Sequence, residues 1–93
     1  MTFDEMYDVQ DEYELSDAIE TLLNAYRQAD THRFDGEVSW TGRHVNDEFC
    51  EMMSEYLCEI RSTEYDLDWR LDALRDLLDK TQQSYPSVID EFF

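Results

Sequence analysis

The chain has 93 residues, enough for one domain over residues 1–93 but too few for a second hydrophobic core. Aspartate and glutamate total 24 against seven lysines and arginines, so the formal net charge is −17 at pH 7. This balance argues against direct binding of nucleic acid and against docking on an anionic membrane, because both need a basic surface. The partner that suits such a surface is a positively charged molecule.

Two further features bear on location. No apolar run approaches the roughly 20 residues of a membrane span, and the first residues lack the basic region of a signal peptide. Cys50 and Cys58 lie about 12 Å apart along one predicted helix, too far for a disulfide there. Reduced thiols are typical of the cytosol, so we expect a cytoplasmic protein.

The first half of the chain begins with helix signals. Thr2 and Glu5 match a capping box, in which each side chain accepts a hydrogen bond from the other residue's backbone N–H. Ser16 is a candidate N-cap for a firmer helix. The two stretches form either one broken helix or two short ones. The apolar stripe predicted after Ser16 is Ile19, Leu22, Leu23, Tyr26 and Ala29.

Segment 31–40 predicts a short β-hairpin. Asp35 and Gly36 lie between two short runs, and a type I′ turn needs positive φ at both of its central residues, which an Asp-Gly pair tolerates. The alternative is a plain loop between helices, with Gly36 just beyond a helix end.

Two amphipathic helices and a short final helix are predicted after this segment. Asn46 is a candidate N-cap for the first, Thr63 or Asp66 for the second, and Pro86 suits the first turn of the last. Their apolar stripes are Phe49, Met52, Met53, Tyr56, Leu57 and Ile60, and then Leu67, Leu71, Leu74, Leu77 and Leu78. The expected fold class is mostly α: a small helical domain of three to five helices with one short β-hairpin.

Acidic residues recur at helical spacing, offset from these apolar stripes, so we expect them to face solvent. The glutamate column is Glu48, Glu51, Glu55 and Glu59; the aspartate column is Asp68, Asp72, Asp76 and Asp79; the N-terminal acidic group is Asp4, Asp8, Asp11 and Glu12. Like charges at this spacing cost roughly 1–3 kcal/mol in total across the two columns. A sequence shaped only for stability would alternate glutamate with lysine, which indicates that another property favours these acids.

The spacing of the two columns suggests an imitation of DNA. Three or four residues along a helix separate carboxylates by about 4.5–6 Å, and packed helices lie about 8–10 Å apart. Duplex DNA presents phosphates about every 3.4 Å per strand beside grooves about 6 and 12 Å wide. Two adjacent columns therefore resemble two phosphate rows in sign and coarse spacing. The alternative is a solvated acidic coat without a partner.

No motif for catalysis or metal binding accompanies the acids. His32, His44, Cys50 and Cys58 match no zinc spacing, and the acids around Asp66 lack the glycine and terminal glutamate of a calcium loop. A nucleophile motif such as G-x-S-x-G is missing. We therefore expect a protein that is not an enzyme and uses no cofactor.

Several aromatic side chains are hard to bury in so small a domain. They are Trp40, Tyr85, Phe92 and Phe93. Either they serve a homodimer, since apolar side chains left in water are a liability, or they pack within the monomer core. Met52, Met53 and Trp69 are expected in the core.

A short, strongly acidic, aromatic-rich chain with carboxylate columns and no motif resembles the DNA-mimic proteins with which bacteriophages and bacteria occupy DNA-binding sites. Over its whole length it is most similar to the Arn-type anti-restriction proteins of T-even phages, with the glutamate and aspartate columns as the local support. The resemblance implies a homodimer that blocks a host restriction nuclease of the McrBC type or another DNA-binding protein. A phage-encoded chain would act in the host cell cytoplasm. The alternatives are an acidic adaptor or chaperone that holds a basic protein without displacing DNA, and a regulatory subunit.

Overall fold

The computed structural model describes residues 1–93 and contains four α-helices, one 3-10 helix and no β-strand. The N-terminal 3-10 helix spans Asp4–Asp8, and the α-helices are α1 (Glu12–Thr31), α2 (Val45–Arg61), α3 (Leu67–Ser84) and α4 (Pro86–Phe92). The predicted class, a mostly helical domain of three to five helices, is confirmed. None of these helices is both long enough and apolar enough to cross a bilayer.

The core lies where α2 packs against both α1 and α3, while the 3-10 helix and α4 close its ends. The stripes predicted for α2 and α3 are largely buried, because residues three and four apart share one face of a helix. Fully or nearly buried members are Phe49, Met53, Leu57, Ile60, Leu71, Leu74, Leu77 and Leu78. On α1 the buried face consists of Leu15, Ala18, Leu22, Ala25 and Ala29, with Ile19, Leu23 and Tyr26 half-buried at its margins.

Several predicted helix signals are confirmed by their hydrogen bonds. The Thr2 backbone N–H donates to Glu5 Oε1 at 3.0 Å, and the Glu5 N–H donates to Thr2 Oγ1 at 3.3 Å, as a capping box requires. Asp66 caps α3 by accepting from the Trp69 N–H at 2.8 Å. Pro86 occupies the first turn of α4.

The predicted N-cap of α1, Ser16, is wrong. The N-cap is Asp11, five residues earlier, because its Oδ1 accepts from the Glu14 N–H at 2.7 Å and so satisfies a free amide of the first turn. The backbone is extended at Val9, which separates the 3-10 helix from α1. The N-terminal stretch therefore consists of two helical elements, of which α1 is 20 residues long.

The predicted N-cap of α2 is also wrong. His44 precedes the helix, and Asn46 lies inside its first turn. The Asn46 side chain is buried, and its Nδ2 donates to the carbonyl oxygen of His32 at 2.8 Å. Asn46 thus ties the start of α2 to the end of α1.

The β-hairpin predicted around Asp35 and Gly36 is wrong. Gly36 has a φ of 79°, but Asp35 does not have a positive φ, so the pair cannot form a type I′ turn. The Asp35 N–H instead donates to the His32 carbonyl oxygen at 3.1 Å, as part of the turn that ends α1. This segment belongs to a loop between helices, the alternative given above.

The chain reverses later in that loop, which we call the α1–α2 loop (residues 32–44). The Gly42 N–H donates to the Ser39 carbonyl oxygen at 3.0 Å, and Gly42 has a φ of 85°. A single antiparallel bridge between Val38 and His44 flanks this reversal without extending into strands.

Candidate partner-binding surface

The two carboxylate columns lie on helices that pack side by side in opposite directions. Near the end of α2, the Ile60 carbonyl oxygen accepts from Arg70 Nε of α3 at 2.8 Å. One turn earlier in α2, the Tyr56 hydroxyl donates to Asp76, further along α3. Residues later in α2 therefore contact residues earlier in α3, so the two helices are antiparallel. The two columns lie along neighbouring parts of one surface.

A groove of about 450 Å³ separates the exposed edges of these two helices, and we call it the α2–α3 groove. From α2 it is lined by Glu55, Tyr56 and Glu59. From α3 it is lined by Trp69, Asp72, Ala73, Asp76 and Lys80. Two members of each predicted column thus meet across one concave surface.

The groove also holds aromatic rings and one cation. Trp69 is 53% exposed and stacks on Tyr65, with ring centroids 5.5 Å apart and planes within 15°. Lys80 Nζ lies 5.3 Å from the centre of the Tyr56 ring and 3.5 Å from Asp76 Oδ2. Burial, and then the hydrogen bond to Asp76, raise the pKa of Tyr56 above its ordinary value.

The prediction that Trp69 belongs to the core is wrong. Its position lies off the apolar stripe of α3, and that offset is the one sequence signal that indicated an exposed ring. Of the two methionines grouped with it, Met53 is buried and Met52 is half-buried.

Glu48, at the start of the glutamate column, is half-buried and held by the protein itself. Its Oε1 accepts from the hydroxyls of Ser39 and of Thr41, the latter at 2.7 Å, and Oε2 lies 3.5 Å from the Tyr85 hydroxyl. The hydrogen bonds from Ser39 and then Thr41 lower the pKa of Glu48. This carboxylate fastens the α1–α2 loop to α2.

Glu51 is partly neutralised by an arginine of the same loop. Arg43 Nη2 lies 2.7 Å from Glu51 Oε1 and 2.7 Å from Asp47 Oδ2. These two bonds, that to Glu51 first, raise the pKa of Arg43. The negative charge available to a partner from the glutamate column is therefore concentrated at Glu55 and Glu59, which take part in no ion pair.

The aspartate column is more open to solvent. Asp68 has no ion pair, and the nearest cation to Asp72 is Arg75, whose Nη1 lies 3.9 Å away. Asp79 accepts from the Tyr7 hydroxyl at 3.0 Å. Burial and then this bond raise the pKa of Tyr7 to about 12.

The N-terminal acidic group lies beside α3, because the 3-10 helix packs against that helix. Asp4 and Asp8 are exposed, Asp11 caps α1, and Glu12 Oε1 lies 3.7 Å from Arg70 Nη1. All twelve predicted surface acids are exposed, apart from the half-buried Glu48 and Glu59.

The four aromatic residues expected to be hard to bury differ in their exposure. Tyr85, Phe92 and Phe93 are half-buried and pack against the core of the monomer, whereas Trp40 is 97% exposed on the α1–α2 loop.

Cys50 is buried, Cys58 is exposed, and both are free thiols. No group of three or more histidine, cysteine, aspartate or glutamate side chains is arranged to hold a metal ion.

Comparison of the chain with protein-family models, with curated proteins and with solved structures gave no match.

Proposed function

We propose that the protein is a DNA mimic that occupies the DNA-binding cleft of a basic protein, with carboxylates in the place of phosphates. The observation that supports this most strongly is the meeting of both columns at the α2–α3 groove, where Glu55 and Glu59 lie opposite Asp72 and Asp76. A cleft that binds two phosphate rows needs two rows of negative charge, and a single acidic helix would supply only one.

The net charge of −17 supports the same function through kinetics. Complementary potentials steer two proteins together and raise the association rate, most strongly at low salt. A protein that competes with a long DNA chain for a cleft benefits from such steering.

The resemblance to Arn-type proteins favours a restriction nuclease of the McrBC type as the partner, with the mimic acting as a homodimer in the host cytoplasm. The α1–α2 loop is the surface we propose for the dimer contact. Its apolar side chains Phe34 and Trp40 are exposed, and the charges of Arg33 and Arg43 balance nearby acids. Sedimentation velocity measures the oligomeric state directly.

Inhibition kinetics test the proposed function. We expect the protein to inhibit cleavage of a duplex containing modified cytosine by an McrBC-type nuclease. We also expect a higher concentration of this substrate duplex to relieve the inhibition. In the matching capture experiment, duplex DNA should elute the nuclease from the immobilised protein. A nuclease that is released by salt but not by DNA would contradict mimicry and favour an acidic adaptor or chaperone.

A pair of double variants tests the columns. Glu55→Lys with Asp72→Lys reverses one exposed charge on each side of the groove, while Asp17→Lys with Glu20→Lys makes the same change on the exposed face of α1. Both double variants lose four units of negative charge, so their difference reports position. We expect the groove variant to inhibit at least about tenfold more weakly, since each lost charge-assisted contact is worth about 1.5–3 kcal/mol, and the α1 variant to stay near wild type. Equal losses in both would assign the effect to total charge.

A further inference from the structure

We propose that the Trp69 end of the α2–α3 groove binds an arginine side chain of the partner. This inference rests on the proposed function, because it names the chemical group of the basic partner that enters the groove.

The protein already fills one end of the groove with a cation of its own. There Lys80 Nζ lies over the Tyr56 ring at 5.3 Å and beside Asp76 at 3.5 Å, so an aromatic face and a carboxylate hold it together. A cation over an aromatic face is attracted by the negative charge of the ring's π electrons.

The other end of the groove has the same components and no cation. It is lined by the Trp69 ring, by Glu59 of α2 and by Asp72 of α3. Glu59 forms no ion pair, and Arg75 approaches Asp72 only to 3.9 Å. Charge complementarity therefore calls for a cation from outside the chain.

The aromatic geometry selects arginine over lysine. Trp69 stacks on Tyr65 through one face of its ring, and about half of the Trp69 side chain is still exposed. A guanidinium group is planar, is weakly hydrated, stacks on such faces and can bind carboxylates through two parallel hydrogen bonds. An ammonium group is a strongly hydrated point charge and gains less from the ring.

The exposure of Trp69 points in the same direction. A tryptophan that is 53% exposed within an acidic surface leaves apolar area in water, and tryptophan paired with arginine is a frequent centre of binding energy at protein interfaces. Arginine is also the residue with which DNA-binding proteins most often contact phosphates and guanines.

Short peptides test the site without any nuclease. We would titrate the protein with tetra-arginine and with tetra-lysine at 0.15 M NaCl and follow the two tryptophan indole N–H signals by NMR. Because the peptides carry the same charge, a general polyanion surface binds them equally. We expect tetra-arginine to bind about three- to tenfold more tightly, and to shift the Trp69 signal while the Trp40 signal stays in place.

A matched pair of variants completes the test. Trp69→Leu should remove the arginine preference and leave both peptides at the affinity of tetra-lysine. Tyr13→Leu, which changes an aromatic side chain 81% exposed on α1 and outside both proposed surfaces, should retain it. A second test keeps the Trp69 ring and removes the two neighbouring carboxylates. Glu59→Gln with Asp72→Asn should abolish the shift of the Trp69 signal that tetra-arginine causes. Equal affinities in the wild type, or a preference that survives Trp69→Leu, would overturn the proposal.

The peptide and nuclease experiments fail separately. Loss of the arginine preference beside intact, column-dependent inhibition would refute the arginine site and leave DNA mimicry standing. An arginine preference in a protein that does not compete with DNA would refute mimicry and leave a guanidinium-binding groove.

Discussion

Glu48 fits the spacing of the surface glutamate column and yet stabilises the fold. Its position in the glutamate column predicts an exposed phosphate mimic, but Ser39 and Thr41 donate hydrogen bonds to its carboxylate. Both hydroxyls come from the α1–α2 loop, so no periodicity within α2 could reveal them. The Glu48 carboxylate therefore binds the α1–α2 loop of its own chain.

Glu48→Gln gives a pH-dependent prediction. The folded state lowers the pKa of this carboxyl below its ordinary 4.5, so its contribution to stability is fully present above that pH and is lost as pH falls through the folded pKa. We expect the variant to lose about 1 kcal/mol of unfolding free energy at pH 7, and the difference from wild type to shrink between pH 5 and 3. Urea unfolding followed by circular dichroism measures both.

The control for Glu48→Gln is Glu64→Gln, which removes an exposed carboxylate without an ion pair. We expect that variant to follow wild type across the pH range. A Glu48→Gln deficit that stayed constant down to pH 3 would mean that the carboxylate's charge is not what stabilises the loop.

At the scale of secondary-structure elements, the sequence predicts helix caps and turns well only where the side chain and its hydrogen-bond partner lie within a few residues of each other. The apolar stripes of α2 and α3 follow from helix geometry alone, and Asp66 and Pro86 act within three residues. Asn46 fails as a cap because its amide finds the His32 carbonyl, 14 residues away. Asp35 fails as a central residue of a type I′ turn because it completes the turn that ends α1 and does not have a positive φ.

The candidate surface follows the same division. The composition of each column could be read from spacing, but the meeting of Glu55 with Asp72 depends on how α2 and α3 pack. The place of Tyr56 in the groove could not be predicted for that reason, because Tyr56 belongs to the apolar stripe of α2 and its hydroxyl reaches Asp76 only through the packing of α2 on α3. The ion pair of Glu51 with Arg43 likewise depends on the path of the α1–α2 loop, which residue spacing within α2 does not reveal.

Two candidate caps for α3 provide a stability prediction. Asp66→Ala removes the side-chain acceptor of the Trp69 N–H and should lower the unfolding free energy by about 1 kcal/mol. Thr63→Ala, at the other candidate position, removes no cap and should change stability by less than about 0.5 kcal/mol. Chemical denaturation of both variants measures the difference, and equal effects would contradict the assignment of Asp66.

Across the whole molecule, the acidic side chains repel one another. With a net charge of −17 over 93 residues, like charges face one another along α2, along α3 and across the groove between them. Such repulsion destabilises the compact state and is screened within about 10 Å at 0.1 M salt. A surface of this kind is kept at a cost in stability, as the proposed competition with DNA would require.

Salt should therefore stabilise the protein. We expect the midpoint of thermal unfolding to rise between 0.02 and 0.5 M NaCl, and the rise to be smaller in Glu55→Lys with Asp72→Lys, where neighbouring like charges have been removed. Differential scanning calorimetry measures the midpoints, and the Asp17→Lys with Glu20→Lys variant supplies the comparison at equal net charge. A midpoint that fell with salt would mean that attractive ion pairs, such as those of Arg43, outweigh repulsion.

Both tryptophans lie in contact with water in the folded state, Trp40 almost completely and Trp69 by about half. We therefore expect their fluorescence to resemble that of hydrated indole before the chain unfolds, and denaturation to change the emission wavelength little. A ligand that covers Trp69 should then shift the emission to shorter wavelengths. The molecule thus carries its own optical reporter of occupancy in the α2–α3 groove.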